Sequence, residues 1–354
     1  MAIYIRSTSA ISPQKTFGKV PFLEDPIVYT GNRLKNHEPD YTGYIDAKPL
    51  RRMSRIIKMG VAAALECLKE AGEKVPGAII TGTALGCEED TGIFLSSIIE
   101  QQEELLQPTP FIQSTHNTVG AQIALLLNCH SYNNTFAHRG FSFENALQDA
   151  IMLLNEKEAS TVLAGGIDEI TDINYTIFTR FGLYKQIPVS NLDLINSETK
   201  GTIAGEGSVF FLLGNQPTTD DHAQLEGVST YYKPVDRNER EQNILSFLAS
   251  HDLSIEDIDL VITGRNGDYR SDALFNELDD SVFKNKPTIN YKQLCGEYPT
   301  SSSFALWLAA NIMKTGVVPP VTGHKSGSIE RLKRILIYNH YLNIHHSLML
   351  VSSA

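Results

Sequence analysis

The residues with chemical potential gather at one break, His138-Arg139-Gly140, which separates an apolar strand from a helix. A strand that turns sharply into a helix presents one residue at the helix N-terminus. Free N–H donors and the positive end of the dipole converge there, and the position suits a nucleophile. Gly140 occupies it and has no side chain. Ser142 and His138 flank the turn. They could support acyl transfer or thioester hydrolysis if a base reached the serine. Ser142 also sits where an N-cap hydroxyl would take an orphan N–H. Arg139 could anchor a carboxylate or carbonyl of a partner. Cys295 reads as a buried, inert thiol. His340, His345 and His346 read as part of a solvated loop between two strands. No Cys or further ligand cluster accompanies them, so no metal is expected.

The elements around the break are legible. Phe143, Ala146, Leu147, Ala150, Ile151 and Leu154 share one face of a 3.6-residue period,. A buried strand ending in Gly165-Gly166 follows. Earlier, Ala2–Ser7 reads as a strand and residues 13–48 mostly as loop. Leu50–Gly72 reads as a helix, Gly77–Thr83 as a strand, Glu88–Leu106 as a helix and PTPFIQST (108–115) as a loop,. A short helix spans Asn117–Leu127, Asp172–Ser197 reads as a long excursion, and Gly205–Leu213 as a strand.

Residues 214–223 read as a linker, after which strands and helices alternate again: strand 224–232, helix 239–251, strand 259–263, helix 272–283, strand 288–289, helix 301–316 and strands 334–338 and 347–352,. This predicts an α/β chain of two duplicated halves, 1–213 and 224–354, with mixed sheets covered by helices. Trp307 is predicted to be core and the run Glu100–Glu104 a solvated helix face.

At 354 residues the chain can bury a large core,. Hydrophobic residues make up 42% and charged residues 20%, as in globular proteins,. A net charge of -11 argues against nucleic acid or an anionic membrane as partner,. Four cysteines without CxxC pairing predict reduced thiols and a cytoplasmic location,. No stretch reaches the ~18 apolar residues of a membrane span, and no secretory signal is expected.

Several segments together resemble the β-ketoacyl synthases of the thiolase-like fold. They are LRRMSRIIKMGVAAALECLKEAG (50–72), NTVGAQIALLLN (117–128), ENALQDAIMLLNEKEASTVLAGGIDE (144–169), KGTIAGEGSVFFLL (200–213), IDLVITG (258–264) and NYKQLCGE (290–297). The match in 200–213 rests on Gly205-Glu206-Gly207. The departures matter more than the matches. Counted from these segments, the family's catalytic Cys falls on Gly140, its first His on Gly264 and its second His on Glu297. Lys292 keeps the family's lysine. The family's Gly-rich loop near the C-terminus, with its gating Phe, falls on YLNIHHS (341–347), which contains no glycine.

The resemblance implies decarboxylative condensation, which needs a thiolate to carry the acyl chain and two imidazoles to hold the enolate oxygen. A glycine cannot be acylated, and a carboxylate at position 297 would repel an enolate. What it implies here is therefore a non-catalytic subunit similar to a chain-length factor, with no cofactor. Such a chain would pair with an active ketosynthase as a heterodimer and meet acyl carrier protein only indirectly. Phe111, Gln113, Thr115 and His116 would wall the acyl tunnel and project toward the partner, with His138 and Arg139 at the interface. The polar Gln113, Thr115 and His116 would suit a polyunsaturated chain of a pigment-type polyene or polyketide, and the phrase HRGFSFE (138–144) resembles members tied to aryl polyene or flexirubin-type pigments. Two alternatives stay open: an acyltransferase or hydrolase using Ser142 and His138, and a homodimeric acyl-binding protein.

Overall fold

A computed structural model describes residues 2–323 and 332–354. Ten strands form one mixed sheet: β1 (Ile3–Ile11), β2 (Ala78–Gly82), β3 (Tyr132–Phe136), β4 (Thr161–Asp168), β5 (Gly207–Gly214), β6 (Ala223–Tyr232), β7 (Leu260–Thr263), β8 (Thr288–Asn290), β9 (Arg334–Tyr341) and β10 (His345–Ser352). Their order is β3-β2-β4-β5-β1-β6-β10-β9-β7-β8. From the centre outward, each half runs through its own first, fifth, fourth, second and third strands. The directions repeat as well: the fifth strand of each half is antiparallel to its neighbours and the outer pairs are parallel. The duplicated α/β architecture is therefore written into the topology. The halves meet at three residue pairs of β1 and β6, Ile3↔Leu225, Tyr4↔Gln224 and Ile5↔Ala223.

Strands β2, β4, β5 and β7 are buried along their whole length because helices cover both faces, whereas the end strand β3 (YNNTF) is polar and partly exposed,. Helix Ser142–Glu156 and helix Ser302–Thr315 share one core with strands of both halves. The second of these is apolar nearly all round, as a helix enclosed on every side must be, and Trp307 is buried in that core with its ring edge-on to Phe22. Helices Arg55–Ala71 and Thr118–Leu127 enclose a second cluster on the outer face of the first half. Helices Arg237–Ala249 and Tyr269–Asp279 do the same for the second half.

Some local expectations change. Helix Glu88–Glu100 ends six residues early because Gln102 and Glu103 adopt positive φ, 50° and 68°. The segment read as the loop 108–115 contains helix Pro108–Gln113, started by a proline in its first turn,. The excursion after β4 contains helix Asp172–Arg180, held by a capping box of Thr171 and Asn174,.

The largest correction concerns the histidines. β9 and β10 are longer than the sequence suggests and are joined by only three residues, Leu342, Asn343 and Ile344. Leu342 and Asn343 take φ of 57° and 54° and make the tight turn without glycine,. His340, His345 and His346 therefore lie in strands and are buried, not in a solvated loop. His340 and His346 pair directly across the ladder with ring centroids 5.5 Å apart,.

A filled site at the strand–helix turn

Gly140 lies in a short 3₁₀ turn, Arg139–Phe141, between β3 and helix Ser142–Glu156. It is buried, while His138 and Arg139 are exposed. A Cβ placed on Gly140 would sit 2.7 Å from Tyr341 Cβ and 2.9 Å from His345 Cβ. Real Cβ atoms do not pack that closely, so a cysteine there would have to displace two strand residues. The space a side chain at position 140 would need is filled by the β9–β10 hairpin.

Ser142 does not cap the helix. It is already helical, the N-cap is Phe141, and no side-chain cap bond forms. Its hydroxyl, fully buried, accepts from the His138 main-chain N–H at 2.8 Å and donates to the Arg139 carbonyl at 2.9 Å. It pins the turn, and Arg139 takes φ of 49° within it. The His138 ring stacks on Phe141 at 5.6 Å and meets His345 edge-on. Among the described residues, the hydrogen bond joining His138 to Ser142 uses the main chain, not the imidazole.

The other two positions are closed differently. Gly264 follows β7, and a Cβ there would collide with the side-chain oxygen of Asn339, which also accepts from the Tyr291 hydroxyl at 2.9 Å. Glu297 is buried and held on three sides. Lys292 Nζ donates to both of its oxygens, at 2.9 and 2.8 Å, and Asn266 Nδ2 donates at 2.7 Å. Lys292, itself fully buried, donates further to the His340 carbonyl at 3.2 Å. The β9–β10 hairpin thus borders all three positions, through Asn339 beside Gly264, Tyr341 with His345 beside Gly140, and, for Glu297, through Lys292, which bridges it to the His340 carbonyl.

A cavity of about 50 Å³ remains beside Glu297, with Asp168, Asn266, Tyr298 and Tyr341 on its wall. At about 10–15 Å³ per water it holds a few waters and cannot admit an acyl chain. Burial pushes the Tyr341 hydroxyl far above its ordinary range, with Glu297 adding to the effect. Burial likewise raises the Cys295 thiol well above normal, and its Sγ donates to the Gly296 carbonyl. That thiol is inert by construction. Burial lowers His346 to about 3 and holds His340 well below the usual histidine range. Both rings are neutral, with the Tyr338 hydroxyl 2.9 Å from His346 Nδ1. No group of three or more His, Cys, Asp or Glu among the described residues is placed to hold a metal ion.

The Gly205-Glu206-Gly207 match supplies scaffolding. Glu206, fully buried, takes a bidentate grip from Arg55 at 2.7 and 2.5 Å and also accepts the Asn36 and Ile170 N–H groups. One carboxylate therefore ties together β5, helix Arg55–Ala71 and two loops.

The remaining candidates lie on the surface, away from the filled site. Phe111 is exposed, its ring 5.1 Å from Phe94. Thr115 is exposed, with its hydroxyl 2.9 Å from that of Thr118. His116 is exposed and packs over Gly86. Gln113 does not project outward. Its amide turns back onto its own chain and donates to the Arg52 carbonyl. Asn266 and Asn339 were not singled out in the sequence. Asn266 lies two residues past Gly264, and the need of a buried Glu297 for donors was the available signal.

A family model described as Beta-ketoacyl synthase, N-terminal domain, matches residues 32–226, which is 195 of the 354 residues. No curated protein sequence matches the chain. The fold is similar to that of a solved structure described as the ishigamide ketosynthase/chain length factor, at 15% identity and a TM-score of 0.80, covering 100% of this chain and 99% of that one. It is also similar to that of a chain in a solved structure described as a type II PKS acyl-carrier protein in complex with its ketosynthase bound to the hexaketide, at 16% identity and a TM-score of 0.75, again covering 100% and 99%. A beta-ketoacyl synthase from Burkholderia phymatum STM815 gives 12% identity and a TM-score of 0.78 with the same coverage. The thiolase-like architecture and the match over more than half of the sequence lead to one assignment: the chain belongs to the beta-ketoacyl synthase family.

Proposed function

We propose that the chain is a non-catalytic ketosynthase-like subunit of the chain-length-factor kind. It pairs with an active β-ketoacyl synthase and shapes that partner's acyl tunnel in type II polyketide or fatty-acid-like biosynthesis. The observation that carries the reading is the filled elbow, where Tyr341 and His345 occupy the space a nucleophile at position 140 would need. The Lys292–Glu297 pair supports it, because a neutralised carboxylate is no substitute for an oxyanion-stabilising imidazole,. A structure of similar fold is itself described as a ketosynthase/chain length factor.

In this reading Phe111, Thr115 and His116 face the tunnel or the partner, together with His138 and Arg139. The polar members favour a polyunsaturated, pigment-type chain. The partner reaches acyl carrier protein directly and this chain only through it. No cofactor is needed, and the pair works in the cytoplasm. Among the described residues no helix is long and apolar enough to cross a membrane.

The test is intact-mass measurement of the isolated chain after exposure to acylated carrier protein. No adduct is expected. A stoichiometric acyl adduct on Ser142 would favour the acyltransferase reading instead, although that hydroxyl is buried and already bonded at both its donor and acceptor sites.

A further inference from the structure

The sheet splits where its two halves meet. β1 and β6 pair only through Tyr4↔Gln224 and one residue pair on either side of it. Each strand then carries one extra residue against its other neighbour, Arg6 in β1 and Glu226 in β6. Bulges of this kind bend a strand away from its partner, so β1 and β6 diverge and leave one free edge each. The edge of β1 is answered by its own chain. The Thr8 N–H donates to Glu70 Oε2 at 2.9 Å, the Ala10 carbonyl accepts from Thr16 Oγ1 at 2.9 Å, and the Ser12 carbonyl accepts the His37 N–H at 2.8 Å. The edge of β6 is not answered. Along 227–232 it pairs with β10 on one side, and on the other, among the described residues, it meets no strand and no bonding loop. Residues 226–231 are half-exposed, although β4 and β5 in the same sheet are buried throughout.

This edge lies in a cleft of about 770 Å³. Helix Ser142–Glu156 lines one wall with Ile151 and Met152, and helix Arg237–Ala249 lines the other with Asn243, Ser246 and Phe247. The helices cover opposite faces of the sheet: Ile151 and Val228 pack on one core, Phe247 and Tyr231 on another. His251 rests on Gly227, where a Cβ would lie 2.2 Å from its Nε2, so that wall stands close to the strand. A second copy of this chain has its own β6 edge recessed in the same way, and two such edges cannot meet. A single extended segment lies about 4.8 Å from the strand it joins and has the thickness of the gap.

The charges around the cleft are already engaged. Its lining carries one charged side chain, Glu226, with Arg334 Nε 3.6 Å away. Along the two helices, Asp149 accepts the Tyr132 hydroxyl, Arg237 pairs with Glu241, Arg240 pairs with Glu277, and Glu239 accepts the Val235 N–H. Glu156 and Lys157 end the first helix with opposite signs, and Lys233 lies past the end of β6. No free charge is therefore waiting for a counterion, and a charged side chain buried here would lose its water without gaining one.

We infer that the cleft takes an extended, uncharged segment of another polypeptide, about six residues long to match 227–232, which adds to β6 as a strand,. The main chain of the segment meets the free N–H and C=O groups of β6. Its side chains alternate between the two helices, with apolar ones against Ile151, Met152 and Phe247 and small hydroxyls beside Asn243 and Ser246.

Hydrogen–deuterium exchange of the full chain, read by mass spectrometry, tests this. One probe is a pool of capped hexapeptides built from threonine, serine, valine and isoleucine. The other is a matched pool with lysine or glutamate at every second position. The uncharged pool at millimolar concentration is expected to slow exchange at 226–232 by about threefold or more, and the charged pool to leave it unchanged. Met152→Glu/Ser246→Glu puts a carboxylate on each wall at two solvent-exposed positions. It is expected to abolish the protection while keeping the wild-type melting temperature. Unchanged exchange with the uncharged pool overturns the inference, as does equal protection by the charged pool or protection that survives in the variant. A wild-type dimer in sedimentation velocity that the variant dissociates would make the occupant a second copy of this chain, and overturns it as well.

Discussion

Gly140 and Tyr341 are packed so closely that the glycine cannot gain a side chain while the hairpin keeps its place. A Cβ on the glycine would fall 2.7 Å from the tyrosine Cβ. The β9–β10 hairpin therefore fills the space that any side chain at position 140 would need.

Restoring cysteine should not restore chemistry. Gly140→Cys is expected to destabilise the fold by about 1–3 kcal/mol through overpacking and to remain unacylated by an acyl donor. Urea denaturation and intact mass measure the two outcomes. A Gly140→Cys protein of unchanged stability that accepts an acyl group would show that the elbow retains a working pocket.

The Lys292–Glu297 pair makes a second prediction. Glu297→Ala leaves a buried ammonium with only the His340 carbonyl as its partner, which costs roughly 3–5 kcal/mol. Lys292→Met combined with Glu297→Leu removes both charges and should recover more than half of that loss. If the double variant is no more stable than the single one, the pair is not coupled as the geometry requires.

Cys295 should resist alkylation. It is fully buried and its thiol is held protonated by that burial. Iodoacetamide at pH 8 is expected to leave it unmodified in the native protein and to modify it fully in urea, as read by peptide mass spectrometry. Native labelling at the rate of a free thiol would contradict this placement.

The buried histidines predict acid sensitivity. His346 titrates near 3 when folded, and His340 is also held well below its ordinary value of 6.5, in each case first by burial. The unfolded chain therefore binds more protons than the folded one below about pH 6.5. Stability from these rings is complete above that pH and is lost as pH falls toward 3. His346→Phe keeps the ring and removes the titration, so its melting temperature should fall less steeply between pH 7 and 4. Parallel slopes for the two proteins would exclude His346 as a source.

Much of the fold was legible because it depends on period. The face of Phe143, Ala146, Leu147 and Ala150 places the elbow helix, and the runs 161–168 and 207–214 mark buried strands. Positions 140, 264 and 297 were picked out by counting along the segments that resemble the family. What surrounds them was not legible. The β9–β10 turn uses Leu342 and Asn343 at positive φ, so no glycine announces it, and the histidines beyond it looked solvated. Ser142 had the residue type and position of a cap, yet its hydroxyl bonds backward to residues 138 and 139. Asn266 and Asn339 matter only through contacts with distant segments, which no local pattern encodes.

The mirrored sheet has one more consequence. Helix Ser142–Glu156 lies against β6 of the second half, and helix Ser302–Thr315 lies against β1 and β5 of the first. Each central helix packs on strands of its own half and also reaches onto strands of the other. Excising either repeat would bare the apolar surface that the two halves now share across β1 and β6, so a single repeat should lose solubility before it loses its helices,.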